Sequence, residues 1–228
     1  HVRVYEYREY TQTDQDNQTY HYSSLISGIT TPGADSQNLE LIITENTSTA
    51  PVVGNNYWTQ VGLDRSIQWE SNELSGWSVA MNSDGTRFVI GGPGSDSNKG
   101  SVRLYVRDTS QYTGWRQVDY IVGENANDQF GYSVAINSDG LKIAVGAPYN
   151  DDNGNDSGQV SVYELNGTLW SQLGGNINGL STGDELGTSL AMSSDGTKII
   201  IGARSYGGVN GLNTGCGLVY EYNSGSWS

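Results

Sequence analysis

The chain has 228 residues with 25 acidic against 11 basic side chains, a formal net charge of −14 at pH 7. Sparse, unclustered Lys and Arg argue against nucleic acid or an anionic membrane surface as partner, and no apolar run approaches the ~20 residues of a membrane span. With 31 Gly and 15 Tyr but only two Met, the composition suits short β-strands joined by glycine turns and contains almost nothing helix-like.

The first alternating run, HVRVYEY (1–7), reads as a strand. Residues 8–56 form an insertion rich in Thr, Ser, Asn and Gln, in which HYSSLISGI (21–29) and LELIIT (39–44) can pair as an extra hairpin. Such an insertion is a solvated loop or a dedicated contact surface. A strand then begins at Trp58-Thr59-Gln60-Val61.

From there one pattern recurs. SVAMNSDGTRFVIGGP (78–93), SVAINSDGLKIAVGAP (133–148) and SLAMSSDGTKIIIGAR (189–204) follow Gly76, Gly131 and Gly187, which stand 55 and 56 residues apart. The Trp-x-Gln strand keeps the same beat at Trp58, Trp115 and Trp170, with Trp227 where a further copy begins, and a Val/Leu-Tyr or Val-Tyr pair closes a run at Tyr5, Tyr105, Tyr163 and Tyr220. A fixed period of this length marks a repeat architecture.

The central copy predicts four strands: A at 131–136, B at 142–148 after the turn Asn137-Ser138-Asp139-Gly140, C at 159–165 after a polar loop, and D at 168–174 after Asn166-Gly167. Asp-Gly and Asn-Gly between alternating runs are strong hairpin signals because the turn needs positive φ. Four short strands with one aromatic signature per unit describe a β-propeller blade. The predicted fold is therefore all-β, a propeller segment of about three and a half blades: a partial blade at 1–75 carrying the insertion, then blades at 76–130, 131–186 and 187–228. That is too few for a closed ring, so the expectation is part of a larger, seven-bladed propeller, or one completed by another chain. The lack of an initiator Met or signal segment reads as a mature or partial product. Exposed strand edges are expected around Val4, Tyr5 and Tyr7 at one end and Leu218, Val219 and Tyr220 at the other.

These repeats resemble the FG-GAP family, the blade type of integrin α-subunit propellers and many microbial surface proteins. The resemblance rests on Phe130-Gly131-Tyr132-Ser133-Val134-Ala135, Val145-Gly146-Ala147-Pro148 and Gly158-Gln159-Val160-Ser161-Val162-Tyr163, with degenerate copies at Leu186-Gly187, Gly202-Ala203, Gly76 and Gly91-Gly92-Pro93. Integrin-type blades often hold calcium between strands A and B. Here the matching stretches offer one carboxylate each, Asp84, Asp139 and Asp195, against the six to eight oxygens calcium takes. Asp84-Gly85, Asp139-Gly140 and Asp195-Gly196 are therefore read as structural turns, and no cofactor is expected. The densest oxygen cluster, Asp151, Asp152, Asn153, Asn155 and Asp156, is the one calcium candidate, but the other copies do not repeat it, which favours a solvated turn.

Catalytic chemistry has little material. His1 and His21 are the only imidazoles, too few for a triad or zinc site. The single cysteine, Cys216, reads as a packed thiol, and the pair Asp184/Glu185 has no identified carboxylate opposite for glycoside hydrolysis. The tryptophans Trp58, Trp115, Trp170 and Trp227 read as packing between blades, with stacking on sugars as the alternative. Sequons at Asn17, Asn46, Asn155 and Asn166 fall in predicted loops or turns, where N-glycans attach. The resulting expectation is a non-enzymatic, extracellular or cell-surface glycoprotein module for structure or adhesion. Its loops would contact other protein chains or copies of itself. The alternatives are a carbohydrate-binding propeller and an accessory domain of a secreted enzyme.

Overall fold

The computed structural model describes residues 5–7, 10–13, 19–22, 58–60, 72–110, 114–167, 169–207 and 214–228. The chain divides into two compact units, one of Arg3–Asp64 and one of His1–Val2 with Arg65–Ser228.

In the smaller unit, β1 (Tyr5–Tyr7) pairs antiparallel with β4 (Trp58–Gln60), and β2 (Tyr10–Thr13) with β3 (Thr19–Tyr22). The run at 1–7 thus finds its strand partner beyond the whole insertion. The expected pairing of 21–29 with 39–44 lies outside the described residues except at its start. There His21 and Tyr22 instead pair with Thr11 and Tyr10.

The larger unit holds three antiparallel sheets. The first runs β5 (Ser78–Met81), β6 (Arg87–Gly92), β7 (Ser101–Arg107), β8 (Trp115–Val122). The second runs β9 (Ser133–Ile136), β10 (Lys142–Ala147), β11 (Gln159–Asn166), β12 (Leu169–Gln172), with β13 (Ile177–Asn178) also on β11. The third runs β14 (Leu186–Met192), β15 (Lys198–Ala203), β16 (Cys216–Asn223), β17 (Ser226–Trp227). Each is a meander of neighbours in sequence, as tight A–B and C–D turns require.

Two local predictions need correction. The outer strand expected over 168–174 stops at Gln172. Gly174 (φ +78) turns the chain beneath the Trp227 ring, and pairing resumes as β13 opposite Val160 and Gln159. The loop after β6 winds one short helical turn, α1 (Ser95–Asn98), with Asp96, Ser97 and Asn98 all at positive φ. Short polar side chains visit that region most readily after glycine.

The register of the third and fourth strands is the same in every copy. Tyr5, Tyr105 and Tyr163 stand opposite Gln60, Gln117 and Gln172. The residue two further on faces the repeat tryptophan: Tyr7–Trp58, Arg107–Trp115, Leu165–Trp170 and Tyr222–Trp227.

The two main apolar clusters lie between sheets. Val89, Val102 and Leu104 of the first sheet meet Phe130, Val134, Ile143, Val145 and Ala147 of the second. Ala144, Val160 and Val162 of the second meet Leu186, Ile199, Ile201 and Ala203 of the third. Each central sheet face is therefore apolar on both sides, which is why strand B reads as a continuous apolar run.

The seams close on glycine. A Cβ built on Gly91 would overlap the Gly131 carbonyl, and one on Gly146 would overlap the Gly187 carbonyl. The same carbonyls accept hydrogen bonds from Ser78 Oγ (2.8 Å) and Ser133 Oγ (2.6 Å). Gly131 and Gly187 themselves sit at φ +88 and +95, which only glycine adopts readily. Gly146→Ala is expected to cost about 2–3 kcal/mol, because backbone rather than a flexible side chain blocks the methyl. Gly217→Ala is its control: at 3.6 Å from the nearest atom, Ile200 Cδ1, the added methyl fits, and stability should hold or rise by about 0.5 kcal/mol. Urea unfolding midpoints of the two variants check the contrast.

Candidate functional site: a pinned loop face

The second-to-third-strand loop of one sheet is laced to the segment entering the next sheet. At the first seam the N–H groups of Asn127, Gln129, Phe130 and Gly123 donate to the carbonyls of Ser97, Asn98, Lys99 and Gly100, at 3.3, 2.9, 2.9 and 2.9 Å. At the second seam Gly183, Glu185, Leu186 and Gly179 donate to Asn155, Asp156, Ser157 and Gly158, at 2.9, 3.0, 3.0 and 2.8 Å. The pattern is position for position the same, and a parallel bridge completes each seam, Gly100–Phe130 and Gly158–Leu186. Backbone bonds hold these loops in place, so their exposed side chains are presented on a fixed frame.

A repeated acid sits beneath this face and escaped the sequence reading. Glu73, Asp128 and Asp184 each stand three residues before the seam glycine, and each is buried. Glu73 forms an ion pair with buried Arg103, whose guanidinium lies 4.4 Å from the Tyr120 ring centroid. Asp128 accepts from Asn150 Nδ2 (2.8 Å) and Asn125 Nδ2 (3.2 Å), and burial pushes its carboxyl above the ordinary range. Asp184 accepts from the Ser181 N–H (2.7 Å). The available signal was an acidic residue at −3 from Gly76, Gly131 and Gly187. Asp184, weighed as half of a catalytic pair, is instead a buried support.

The calcium candidate is committed to its own loop. Asp151 Oδ1 accepts from the Asp156 N–H (2.8 Å), Asp152 Oδ2 from Gln159 Nε2 (2.7 Å) and Asp156 Oδ2 from Asn155 Nδ2 (2.7 Å), while Asn153 Nδ2 donates to the Gly179 carbonyl (2.7 Å). Among the described residues no group of three or more His, Cys, Asp or Glu is arranged to hold a metal.

The first-to-second-strand turns lie away from these loops and have their own ladder. Ser83 N–H donates to the Ser138 carbonyl (3.3 Å), and Ser138 N–H to the Ser194 carbonyl (3.0 Å). Within each turn the aspartate binds local backbone: Asp84 Oδ1 accepts from Thr86 N–H (2.9 Å), Asp139 Oδ1 from Leu141 N–H (2.8 Å), Asp195 Oδ1 from Thr197 N–H (3.0 Å). Gly85, Gly140 and Gly196 take φ +68, +72 and +67. All six residues are thus placed as turn residues.

Asn155 and Asn166 are exposed, on the loop face and at the end of β11 respectively. Asn17 and Asn46 lie outside the described residues. Trp115 is fully buried, edge-on to Phe88 at 4.7 Å. Trp170 is half-buried, and Trp227 Nε1 donates across the second seam to the Leu173 carbonyl (2.8 Å). Of Trp58 only the backbone is described. Cys216 is half-buried beside the second apolar cluster, where burial raises its thiol pKa. Among the described residues no helix is long and apolar enough to cross a membrane.

Residues 115–163 match the family model described as FG-GAP repeat. No curated protein matches the chain. Among solved structures, Kuenenia stuttgartiensis hydrazine synthase is similar at 14% identity and TM-score 0.45, over 73% of this chain and 38% of that one. Saccharomyces cerevisiae Sqt1 is similar at 13% and 0.46, over 70% and 35%. A putative 6-phosphogluconolactonase from Bacteroides uniformis is similar at 14% and 0.41, over 66% and 38%. The chain spans 35–38% of the length of these structures.

Two predictions concern the turns. Asp139→Asn should leave stability within about 0.5 kcal/mol, since Asn bonds the same backbone and tolerates turns. Gly140→Val should cost about 1–3 kcal/mol through left-handed strain and overlap with the Arg87 side chain; thermal melts of both variants decide. The second concerns acid. Hydroxyl and backbone donors around Asp195 and Asp84 hold both carboxyls below the ordinary range. A depressed folded value means the contribution is complete above the unfolded carboxylate pKa and is lost as pH falls through the folded one. Asp195→Asn should therefore lower the melting temperature most at neutral pH and flatten its fall below about pH 4, the variant converging on the parent as the pH drops.

Proposed function

We propose that the chain is a non-enzymatic interaction module, acting outside the cell as part of a structural or adhesive glycoprotein. The observation that carries this reading is the laced loop face. Eight backbone hydrogen bonds across two seams hold exposed, polar loop tips such as 125–127 and 151–153, and conformationally fixed polar loops on a rigid scaffold are what specific protein contacts use. The FG-GAP repeat supports a protein-interaction role, and exposed Asn155 and Asn166 within sequons support an extracellular one.

A second reading rests on a separate feature. Trp77, 55% exposed, lies 5.4 Å from Tyr132, which lies 6.1 Å from Tyr149. Such a row of amphipathic rings suits stacking on a saccharide.

Protein from its natural source is expected to lose mass on N-glycosidase treatment, with Asn155 or Asn166 converted to Asp; bare polypeptide would remove the extracellular reading. Glu124→Lys with Ala126→Lys, both exposed on the loop face, should weaken partner binding without shifting the melt. Saturable quenching of tryptophan fluorescence by oligosaccharides, lost in Trp77→Ala, would favour the saccharide reading instead.

A further inference from the structure

The second sheet lies between the other two, with an apolar cluster on each side. What it leaves exposed is therefore not the face of an end sheet. Its outer hairpin, β11 to β12, closes on the pair Asn166–Leu169. Directly opposed residues of an antiparallel ladder project from the same face, with Cβ atoms about 5 Å apart. On the other face Leu165 and Trp170 pack into the first cluster. Leu169, at 70%, is the most exposed large apolar side chain among the described residues, and nothing lies within 4 Å of a Cβ built on Gly167.

The repeat itself gives no reason for this leucine. The residue before the repeat tryptophan is Gly114 in the first sheet and Ser226 in the third. In the third sheet the hairpin closes on Asn223–Ser226, the same asparagine but without a sequon, because Ser224-Gly225 follows it. The exposed leucine and the sequon Asn166-Gly167-Thr168 occur in one and the same repeat, opposed across the hairpin. Asn155 has a different setting. Its Nδ2 donates to Asp156 Oδ2 (2.7 Å), its carbonyl holds the Gly183 N–H (2.9 Å), and Ser157 of its sequon is fully buried.

An N-acetylglucosamine has an apolar ring face and an acetamido methyl that can cover a leucine while its hydroxyls stay in water. We propose that Asn166 carries a structural N-glycan whose first N-acetylglucosamine lies over Leu169; this rests on the extracellular reading above. The donor is a lipid-linked oligosaccharide diphosphate. Its C1–O bond to the diphosphate breaks, C1 bonds to Asn166 Nδ2, and the proton lost from Nδ2 leaves with the lipid diphosphate. Nδ2 keeps one N–H, enough for the bond it donates to Ser171 Oγ (2.7 Å). Ser171 stands two residues beyond Leu169 on β12, on the same face, so this bond lays the asparagine side chain across the hairpin. The hairpin end adjoins the first-to-second-strand turn, where the Leu165 N–H donates to the Leu141 carbonyl (2.8 Å). The glycan therefore leaves the loop face uncovered.

Peptide mapping of protein from its natural source, after N-glycosidase treatment in heavy-oxygen water, should find Asn166 converted to labelled aspartate. Protein secreted from a eukaryotic host then tests the contact. Trimming its glycans to a single N-acetylglucosamine should leave the melting temperature unchanged. Thr168→Ala removes the glycan and keeps Asn166. It should lower the melt of secreted protein by about 2–4 °C more than it lowers that of protein made without glycosylation, the shift expected from uncovering one leucine in a chain of this size. In a Leu169→Ser background that excess should vanish. Occupancy at Asn155 with Asn166 bare would overturn this proposal and leave the extracellular reading standing, whereas polypeptide bare at every sequon would remove both. An occupied Asn166 with no excess, or an excess that survives Leu169→Ser, would overturn the contact.

Discussion

The closest approach in the larger unit, glycine of one sheet against the carbonyl of the next sheet's entry glycine, sets the distance at which everything else must fit. Gly91 against Gly131 and Gly146 against Gly187 leave no space for a methyl. At that separation the serine two residues after the entry glycine reaches the next such carbonyl, the apolar faces close without a gap, and the loops above come within backbone hydrogen-bond range. A side chain at either glycine would force the sheets apart and weaken all three layers together, since packing and hydrogen bonding both fall off over fractions of an ångström.

The same closeness creates a polar problem beneath the loops, solved differently at each repeat. A buried carboxylate needs a partner or its charge is costly. Glu73 is long enough to reach Arg103 on a neighbouring strand, and the matching positions there in the other sheets are Ser161 and Leu218. Asp128 and Asp184 are shorter and take local donors, side-chain amides in one case and a backbone N–H in the other. The position is therefore repeated while its partners are not, and in each repeat the acid ties down the entry to the sheet.

This explains what the sequence disclosed. Strand identity, the Asp-Gly turns and the four-strand unit were legible because each rests on local rules: alternation, positive φ, and side-chain bonding to the adjacent backbone. Trp115 is buried against Phe88 and Trp227 packs on the second cluster, while Trp170 is half-buried and the side chain of Trp58 lies outside the described residues. The acid at −3 was present in the sequence but obscured, because Glu73, Asp128 and Asp184 lie among other acidic and polar residues and only burial separates them. The break in the outer strand at Gly174 was not legible, since it depends on Trp227, which bonds the Leu173 carbonyl from 54 residues away. Among the described residues the expected edge at Leu218 and Val219 is unpaired, since β17 meets β16 only at Glu221–Asn223, but the exposed faces at Val79 and Ile200 were not legible, because hairpin signals say which strands pair and not which sheet covers which.

In such an array each sheet gains stability from its own strands and from a nearest-neighbour seam. The seam terms are set by glycine, serine and the apolar pairs, none of which is in the exposed loop tips. Loop side chains are thereby outside the glycine and apolar constraint, though Asn153 still reaches the Gly179 carbonyl: Asp96 and Ser97 in one repeat stand where Asn153 to Asp156 stand in the next, while the carbonyls that hold the loops accept the same hydrogen bonds. Separation of this kind lets one repeat present a helical turn and its neighbour an acid-rich loop on the same frame. The exposed surface can then differ from blade-like unit to unit while the seams keep the same glycine, serine and apolar contacts, the division between frame and display that loops on a rigid scaffold allow.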